Sequence, residues 1–253
     1  MKAKAKINIF LKILGLDSRK YHLLSSRFVL INDLFDELIL INDKNKEGFE
    51  LISNVNFDDN IIFKAYDLLA SLGHKESLKE FFKDKSLKLI KNIPHCAGLG
   101  GGSSDCAAFL IMMNEELNLK YTKEDLITLS IKLGSDIAFF ISGFNSANVS
   151  GCGEILKEFN DEKIDLSLIM PNIKCQTQAV YKEFDKKNID FSENLKIAKK
   201  LEQINSKELL LEKNTLLNDL FKPCVDLYPK MKKYLDENFF MSGSGSTIFK
   251  AKK

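Results

Sequence analysis

The sequence predicts an α+β fold and not a doubly wound parallel sheet. Strand and helix patterns mix along the 253 residues without the strict alternation that a doubly wound sheet requires. Hydrophobic residues make up 45% of the chain and charged residues 28%, which is typical of a globular protein. This length suits one large domain or two modest ones, with a soft boundary near residues 155–165.

The first element is a predicted strand at the N-terminus. Apolar and polar residues alternate there, which is the period-two pattern of a sheet with one buried face. The apolar series is Ala3, Ala5, Ile7, Ile9, Leu11 and Ile13, and the polar series is Lys4, Lys6, Asn8 and Lys12. Because Lys6 and Asn8 are two residues apart, we expect their side chains to point the same way.

The later elements follow from the same periodicities. Further strands are predicted at 28–31, 37–41, 49–51, 87–93 and 166–170. Helices are predicted at 59–72, where Gly73 ends the pattern, at 123–133 and through 193–211. Residues 239–250 indicate a strand, a tight Gly/Ser turn and a second strand.

The most unusual segment is a glycine-rich loop between a strand and a helix. Four glycines fall within residues 98–102, and Ser103 and Ser104 follow at the mouth of the predicted helix. Glycines let successive N–H groups converge on one point, and the helix N-terminus adds partial positive charge there. The segment therefore predicts a phosphate-binding loop that needs no arginine.

Other phosphate-binding motifs do not fit this loop. No Lys-Ser/Thr pair closes it, so it is not a Walker loop, and Ser103 stands where a Rossmann fingerprint needs a third glycine. H-R-D and D-F-G are absent, which excludes a protein kinase. The remaining alternative is a flexible surface loop with a serine helix cap, which is disfavoured because four glycines cost backbone entropy.

Composition excludes several classes of function. The formal net charge is only +2, which disfavours proteins that bind nucleic acid or membrane surfaces. The five scattered cysteines form no C-x-x-C pair, so we expect core packing in a reducing cytoplasm, without a zinc site or a disulfide framework. The polar Asn8 and Lys12 interrupt the N-terminal apolar stretch, which disfavours a signal peptide.

Three further candidates stay open on residue patterns alone. Asp136 precedes an apolar run, so it is either a partly buried carboxylate with tunable proton affinity or a simple helix cap. Lys6 either serves a site or is solvated on its strand. Tyr21 and His22 alone are typical of packing beside a surface imidazole.

Taken together, these segments resemble the GHMP small-molecule kinases, whose phosphate loop reads P-x-x-x-G-L-G-[GS]-[GS]-S-[SA]. The matching residues are Pro94, Gly98, Leu99, Gly100, Gly101, Gly102, Ser103 and Ser104. Within that superfamily, the chain is similar to the kinases of the non-mevalonate isoprenoid pathway that act on 4-diphosphocytidyl-2-C-methyl-D-erythritol. The further shared motifs are A-K-I-N-I-F-L at 5–11, Y-H at 21–22, G-S-D-I at 134–137, G-x-G-E at 151–154, N-D-L at 218–220, L-Y-P at 227–229 and M-S-G-S-G-S at 241–246.

The chain departs from the family pattern at three positions. Asp105 replaces the usual Asn after the loop serines, which puts a negative charge near the nucleotide that either weakens the site or is offset by Mg²⁺. Lys20 replaces the glycine before Tyr21, and Ala138 replaces a usual proline.

The resemblance implies a two-domain α+β GHMP kinase fold with the active site in the inter-domain cleft. An N-terminal ATP-binding domain would span residues 1–155 and a C-terminal domain residues 156–253, with an approximate boundary. Asp136 would be the catalytic carboxylate that accepts or orients the proton of the substrate hydroxyl. Lys6, beside it, would keep that carboxylate ionised and stabilise charge on the transferring phosphoryl group.

The resemblance also assigns the binding residues. Asn8 would bind the sugar-alcohol hydroxyls, Tyr21 and Tyr181 would stack on the cytosine ring, and His22 would read its polar edge with Thr177 nearby. Asn60 and Lys91 would lie near the nucleoside end of ATP. The phosphate loop would comprise Pro94, His95, Cys96, Ala97, Gly98, Leu99, Gly100, Gly101, Gly102, Ser103 and Ser104. The metal ligands stay open: the hydroxyls of Ser103 and Ser104 can cap the helix, contact a phosphate oxygen or hold Mg²⁺.

The activity implied is ATP- and Mg²⁺-dependent phosphorylation of the 2-hydroxyl of 4-diphosphocytidyl-2-C-methyl-D-erythritol by a cytoplasmic monomer or homodimer. One alternative is a related kinase acting on homoserine or mevalonate, for which a cytosine clamp at Tyr21 and His22 has no use. The other is a non-catalytic nucleotide-binding protein, which has no need of Lys6 and Asp136.

Overall fold

The computed structural model describes residues 1–43, 47–56, 59–235 and 239–252. The strands described there are β1 Lys2–Leu16, β2 His22–Ile41, β3 Leu51–Ser53, β4 Ser86–Ile90, β5 Ser146–Ser150, β6 Ile155–Glu158, β7 Leu166–Ile169, β8 Phe240–Met241 and β9 Ile248–Ala251. The α-helices are α1 Ile61–Leu69, α2 Lys75–Phe81, α3 Gly101–Glu116, α4 Lys123–Ser130, α5 Ile137–Ser142, α6 Thr177–Phe184, α7 Phe191–Leu201, α8 Ser206–Leu209, α9 Asn214–Leu217, α10 Phe221–Leu227 and α11 Lys232–Leu235. Residues Ala70–His74, with a kink at Gly73, join α1 to α2, and a short 3₁₀ helix Pro229–Met231 precedes α11.

The chain divides into two compact units, each made of separate stretches of sequence. Unit 1 comprises Met1–Ala5, Ile31–Ile93 and Gly101–Gly143, and unit 2 comprises Lys6–Leu30, Pro94–Gly100 and Phe144–Lys253. The division into contiguous domains at residues 1–155 and 156–253 stays a prediction.

Unit 1 packs helices against a small sheet. The C-terminal part of β2 pairs with β4 antiparallel, with Glu37 opposite Ile90, and β3 pairs with β4 in parallel. Apolar residues of these strands and of α1, α3 and α5 form one buried cluster, which includes Phe109 at the centre of α3. Because buried residues along α3 pack in this cluster, the position of the helix and of its N-terminal turn is fixed by core contacts.

Unit 2 contains the rest of the sheet and most of the later helices. The N-terminal part of β2 pairs with β5 antiparallel, and β5 pairs with β6. A second, antiparallel sheet has the strand order β7-β9-β8. Its last two strands flank the Gly/Ser turn at 242–247, so the predicted strand, turn and strand at the C-terminus are confirmed.

Arg27, on strand β2, connects the end of α7 to strands β2 and β5 of unit 2. Its guanidinium is fully buried and donates to Asn148 Oδ1 at 2.9 Å, to Ile204 O at 2.5 Å and to Glu202 O at 2.8 Å. The last two carbonyls lie at the C-terminal end of α7, where carbonyl groups lack helical partners. Burial lowers the pKa of Arg27 to about 10, and this arginine therefore has a structural role.

The structure confirms the α+β prediction but corrects two local ones. The expectation that β1 buries only one face is wrong, because the polar Lys6, Asn8 and Lys12 are buried as well as the apolar series. The strands predicted at 28–31 and 37–41 are parts of one 20-residue strand, β2.

Gly73 ends the first helix, as predicted, because its backbone leaves the helical region. It has a φ of 98°, which glycine adopts without steric cost, and the chain continues directly into α2. Among the described residues, no helix combines the length and apolar character needed to cross a membrane.

Candidate active site

The predicted phosphate loop is a loop that leads directly into a helix. Residues 94–100 precede α3, which begins at Gly101, so Ser103 and Ser104 lie within its first turn and not at its cap. Gly102 is exposed and Ser103 half-buried, whereas Ser104 is buried. The helix N-terminus therefore presents Gly102 and Ser103 more openly than Ser104.

Gly98 is held by a turn from the other end of the chain. Ser242 Oγ donates to Gly98 O at 2.7 Å, and Thr247 N donates to Ala97 O at 3.0 Å. Gly98 has a φ of 73°, and a Cβ added there would lie 2.2 Å from Ser242 O. Only glycine fits this position, because any side chain collides with backbone of the turn.

The same turn positions the polar face of β1. Asn8 N donates to Ser242 Oγ at 3.2 Å, and Asn8 Nδ2 donates to Ser26 Oγ at 2.9 Å. Lys6 Nζ donates to Asn8 Oδ1 at 2.7 Å and lies 4.2 Å from the centre of the Phe28 ring. The expectation that Lys6 and Asn8 point the same way is confirmed, and the solvated interpretation of Lys6 is wrong because Lys6 is buried.

Asn218 holds the Gly/Ser turn through side-chain hydrogen bonds. Its Nδ2 donates to Met241 O at 2.8 Å and to Gly243 O at 2.9 Å, and its Oδ1 accepts from Leu220 N. All these groups are buried polar atoms, which are costly to leave unpaired. Neither Ser242 nor Asn218 was among the predicted site residues, although the motifs at 218–220 and 241–246 marked both segments.

Lys91 lies between two buried carboxylates of unit 1. Lys91 Nζ donates to Asp105 Oδ2 at 2.6 Å and pairs closely with Asp36 Oδ2. Burial and the charge of Asp36 raise the pKa of Asp105 to about 7, although Lys91 acts in the opposite direction. Asp105 Oδ1 is buried and has no hydrogen-bond partner among the described residues. The role of Lys91 near the nucleoside stays a prediction.

Asn60 begins α1. It occupies the cap position of that helix, and its Oδ1 accepts a hydrogen bond from Ile62 N at 2.9 Å. The side chain is buried. This contact gives Asn60 a structural role in the described chain, and its predicted contact with the nucleoside stays a prediction.

The structure brings His22 and Tyr181 together in unit 2. Their ring centres lie 4.7 Å apart, and His22 Nε2 is 2.7 Å from Asp185 Oδ1. Tyr21 is 62% exposed. Thr177 Oγ1, at the start of α6, lies 2.9 Å from Ser244 Oγ in the Gly/Ser turn. The four residues predicted to recognise cytosine are therefore in one unit, and His22 and Tyr181 are in direct contact.

Asp136 directly precedes α5 in unit 1. It occupies the cap position and is half-buried, but its carboxylate accepts no capping hydrogen bond from the first turn of that helix. The interpretation of Asp136 as a simple cap therefore lacks the contact that defines one. Its predicted pairing with Lys6 stays a prediction.

Comparison with known proteins decides the family. The model of the GHMP kinases N terminal domain matches residues 60–144. A protein of Campylobacter jejuni subsp. doylei, named 4-diphosphocytidyl-2-C-methyl-D-erythritol kinase, is 61% identical over 253 residues that cover 99% of each chain. The chain belongs to the 4-diphosphocytidyl-2-C-methyl-D-erythritol kinase family.

Solved structures agree on the fold of this family. A crystal structure of 4-(cytidine 5'-diphospho)-2C-methyl-D-erythritol kinase aligns with a TM-score of 0.71 and 24% identity, covering 100% of this chain and 90% of the other. A mevalonate kinase structure aligns with a TM-score of 0.63 and 15% identity, covering 100% and 91%. These alignments show that the chain has the fold of both structures.

Proposed function

We propose that this chain transfers the γ-phosphoryl group of ATP to the 2-hydroxyl of 4-diphosphocytidyl-2-C-methyl-D-erythritol, forming the 2-phosphate and ADP. The observation that carries this proposal is the 61% identity, over the whole chain, to relatives named for this activity. ATP use is common to the kinase family to which the chain belongs.

The loop 94–100 and the first turn of α3 would bind the phosphates of ATP. Supporting this, Ser242 Oγ and Thr247 N donate hydrogen bonds to the loop backbone. Glycines have no side chain that would cover a backbone N–H group. The N-terminus of α3 adds partial positive charge, which stabilises phosphate oxygens without an arginine. Gly102 and Ser103 are the accessible residues of this turn and suit contact with the transferring group.

Asp136 would act on the acceptor hydroxyl, and Lys6 on the phosphoryl group. A carboxylate accepts or orients the hydroxyl proton, so that the oxygen can attack phosphorus in line with the leaving ADP. An ammonium group stabilises the negative charge of the equatorial oxygens during transfer. Lys6 suits this role because Asn8 and Phe28 limit where its side chain can point.

The cytidyl group would bind near His22 and Tyr181. The ring of His22 is fixed by Asp185 and by contact with Tyr181, which leaves it oriented for a hydrogen bond to a base edge. The exposed ring of Tyr21 offers a surface for stacking. Asn8 and Thr177 would complete the contacts to the substrate.

The residues at the start of α3 fit a Mg²⁺ ion whose ligands come mainly from the phosphates of ATP. Among the described residues, no three His, Cys, Asp or Glu side chains are grouped to hold a metal ion. Mg²⁺ usually binds substrate phosphates, water and one or two protein oxygens. The half-buried Ser103 hydroxyl suits that role better than the buried Ser104. The ion would neutralise charge between the phosphates.

A cytoplasmic location and a monomeric or homodimeric state form part of the proposal. The five cysteines are unpaired, as expected in a reducing compartment. The small net charge suits a small-molecule substrate better than nucleic acid or a membrane.

An acceptor panel tests the reaction. ADP release is measured with ATP and Mg²⁺ in the presence of the cytidyl substrate, homoserine or mevalonate, each offered alone. We expect turnover only with the cytidyl substrate. Turnover with another acceptor alone would show that the chain is a kinase of the same superfamily with a different substrate from the one proposed. ATP binding without any turnover would favour the non-catalytic alternative.

Asp136→Asn tests the catalytic carboxylate. The amide is similar in size but cannot take a proton, so we expect kcat to fall by about 10²–10⁴-fold while ATP still binds. Steady-state kinetics and nucleotide titration measure the two properties separately. Asp59→Asn, at an exposed carboxylate paired with Lys64, is the matched control and should keep its activity. Near-normal kcat in Asp136→Asn would remove Asp136 from the mechanism.

A further inference from the structure

Two cysteines far apart in sequence meet inside unit 2. Cys175 precedes α6 and Cys224 lies within α10, and their Sγ atoms are 3.5 Å apart. Both residues are fully buried and both are free thiols. A disulfide joins sulfurs about 2.0 Å apart, so these two atoms need to approach by about 1.5 Å to form one.

The pair lies against the turn that holds the phosphate loop. A Cβ added at Gly245 would lie 3.1 Å from Cys224 Sγ and 3.3 Å from Cys175 Sγ. Gly245 N donates to Ser242 O at 2.9 Å, and Ser242 Oγ donates to Gly98 O. The two sulfurs are thus separated from the phosphate loop by a single turn, whose conformation depends on close packing.

Cys175 is also close in sequence to Thr177, one of the residues predicted to bind the substrate. It lies two residues before Thr177, whose hydroxyl contacts Ser244 in the same turn. Movement of Cys175 towards α10 would therefore displace the start of α6 and the turn together.

We propose that Cys175 and Cys224 are a modification site at which a peroxide forms an intramolecular disulfide. The disulfide would shift the turn at 242–247 and lower phosphoryl transfer, an effect that rests on the proposed function.

The reaction needs one peroxide for each disulfide. The Cys175 thiolate attacks one oxygen of hydrogen peroxide, the O–O bond breaks, and Cys175 becomes a sulfenic acid with release of hydroxide, which takes up the proton lost by the thiol to give water. The Cys224 sulfur then attacks the Cys175 sulfur, and the S–O bond breaks with release of a second water. Two thiols are oxidised by two electrons, and the peroxide is reduced to two water molecules.

The surroundings select Cys175 as the attacking sulfur. The hydrogen bond between the two thiols lowers the pKa of Cys175, whereas this contact and burial raise the pKa of Cys224. Burial also raises the pKa of the solitary Cys106, to about 12. Cys175 is buried but lies between the exposed Lys174 and Gln176, so its sulfur would be reached by peroxide from this exposed stretch of chain. The thiolate is the reactive form, and it forms more readily at Cys175 than at Cys106.

The test is peptide mapping of the native protein after treatment with hydrogen peroxide, together with kinetics on the same samples. We expect a peptide that links Cys175 to Cys224, and a fall in kcat/KM of between about tenfold and about 100-fold, the range that small displacements of positioning groups produce. Dithiothreitol should remove the link and restore activity. Mapping needs no substrate, so it tests the disulfide even if the proposed activity is wrong.

Two variants provide the controls. Cys175→Ala should form no linked peptide and keep its activity in peroxide, and Cys152→Ala should respond as the wild type does. Absence of the linked peptide in the wild type would overturn the site. Unchanged kcat/KM in the linked protein, or inactivation that persists in Cys175→Ala through oxidation elsewhere, would overturn its effect on activity.

Discussion

The two halves of the phosphate loop are held by different kinds of interaction. Residues 94–100 belong to unit 2, where neutral hydrogen bonds from Ser242 and Thr247 fix the loop backbone. The start of α3 belongs to unit 1, where Asp105 is held by the ammonium group of Lys91, which it shares with Asp36.

The first half of the loop is therefore held in place by packing and neutral hydrogen bonds, and the second half by charge interactions. The neutral contacts of the first half depend on close packing and carry no charge that titrates, so substitutions affect them more than pH does. The contacts of the second half depend on the protonation of Asp105, whose pKa is raised to about 7. A mutation at 98 and a change of pH therefore act on different halves of the same loop.

The largest expected effect is that of Gly98→Ala. The new Cβ would lie 2.2 Å from Ser242 O at a φ of 73°, so we expect a loss of more than about 3 kcal/mol in the free energy of unfolding. Urea denaturation measures this loss.

Gly102→Ala is the matched control on the second half of the loop. No atom lies within 4 Å of a Cβ added at Gly102, which is exposed in the first turn of α3. We expect a change of at most about 1 kcal/mol, in the stabilising direction, because alanine favours helix. Equal destabilisation by both variants would show that the contact with the turn does not explain the need for Gly98.

Ser242→Ala should have a smaller effect. It removes the donor to Gly98 O and the acceptor for Asn8 N, so we expect a loss of about 1–3 kcal/mol and a higher KM for ATP. Ser246→Ala is the control on the same turn, because its one described hydrogen bond, to Pro171 O, is longer at 3.3 Å. If both variants raise the KM for ATP equally, Ser242 is not the residue that positions the loop.

The sequence predicted the parts of the site that depend on local signals. The loop and the start of α3 follow from a cluster of glycines within five residues, and the position of Lys6 beside Asn8 follows from strand periodicity. These patterns are complete within a short stretch of chain, which is why they are readable without tertiary contacts.

Such local patterns do not predict contacts between residues that are far apart in sequence. Ser242 and Gly98 are 144 residues apart, and nothing local to either one indicates their hydrogen bond. Lys12 is buried on the supposedly polar face of β1 because Asp219, from the other end of the chain, pairs with it. The two strands predicted at 28–31 and 37–41 are one strand, β2, which pairs with β5 along residues 26–29 and with β4 along residues 37–41.

Asp105 gives a smaller expected effect than Gly98 or Ser242, and its effect depends on pH. Its pKa is about 7 in the folded chain against 3.8 for an unperturbed aspartate, so between these values the folded state binds more protons than the unfolded state. The stability that this group contributes therefore falls as pH rises through that window and is level above it.

Asp105→Asn should remove this dependence. The amide stays neutral next to Asp36, so relative to wild type the variant should gain about 1–2 kcal/mol, or a few degrees in Tm, between pH 5.5 and pH 8. Thermal denaturation across this range measures the gain, and Asp59→Asn at the exposed pair with Lys64 should follow the wild-type curve. Parallel curves for Asp105→Asn and wild type would mean that the charge on Asp105 does not titrate here, and the second half of the loop would then be as insensitive to pH as the first.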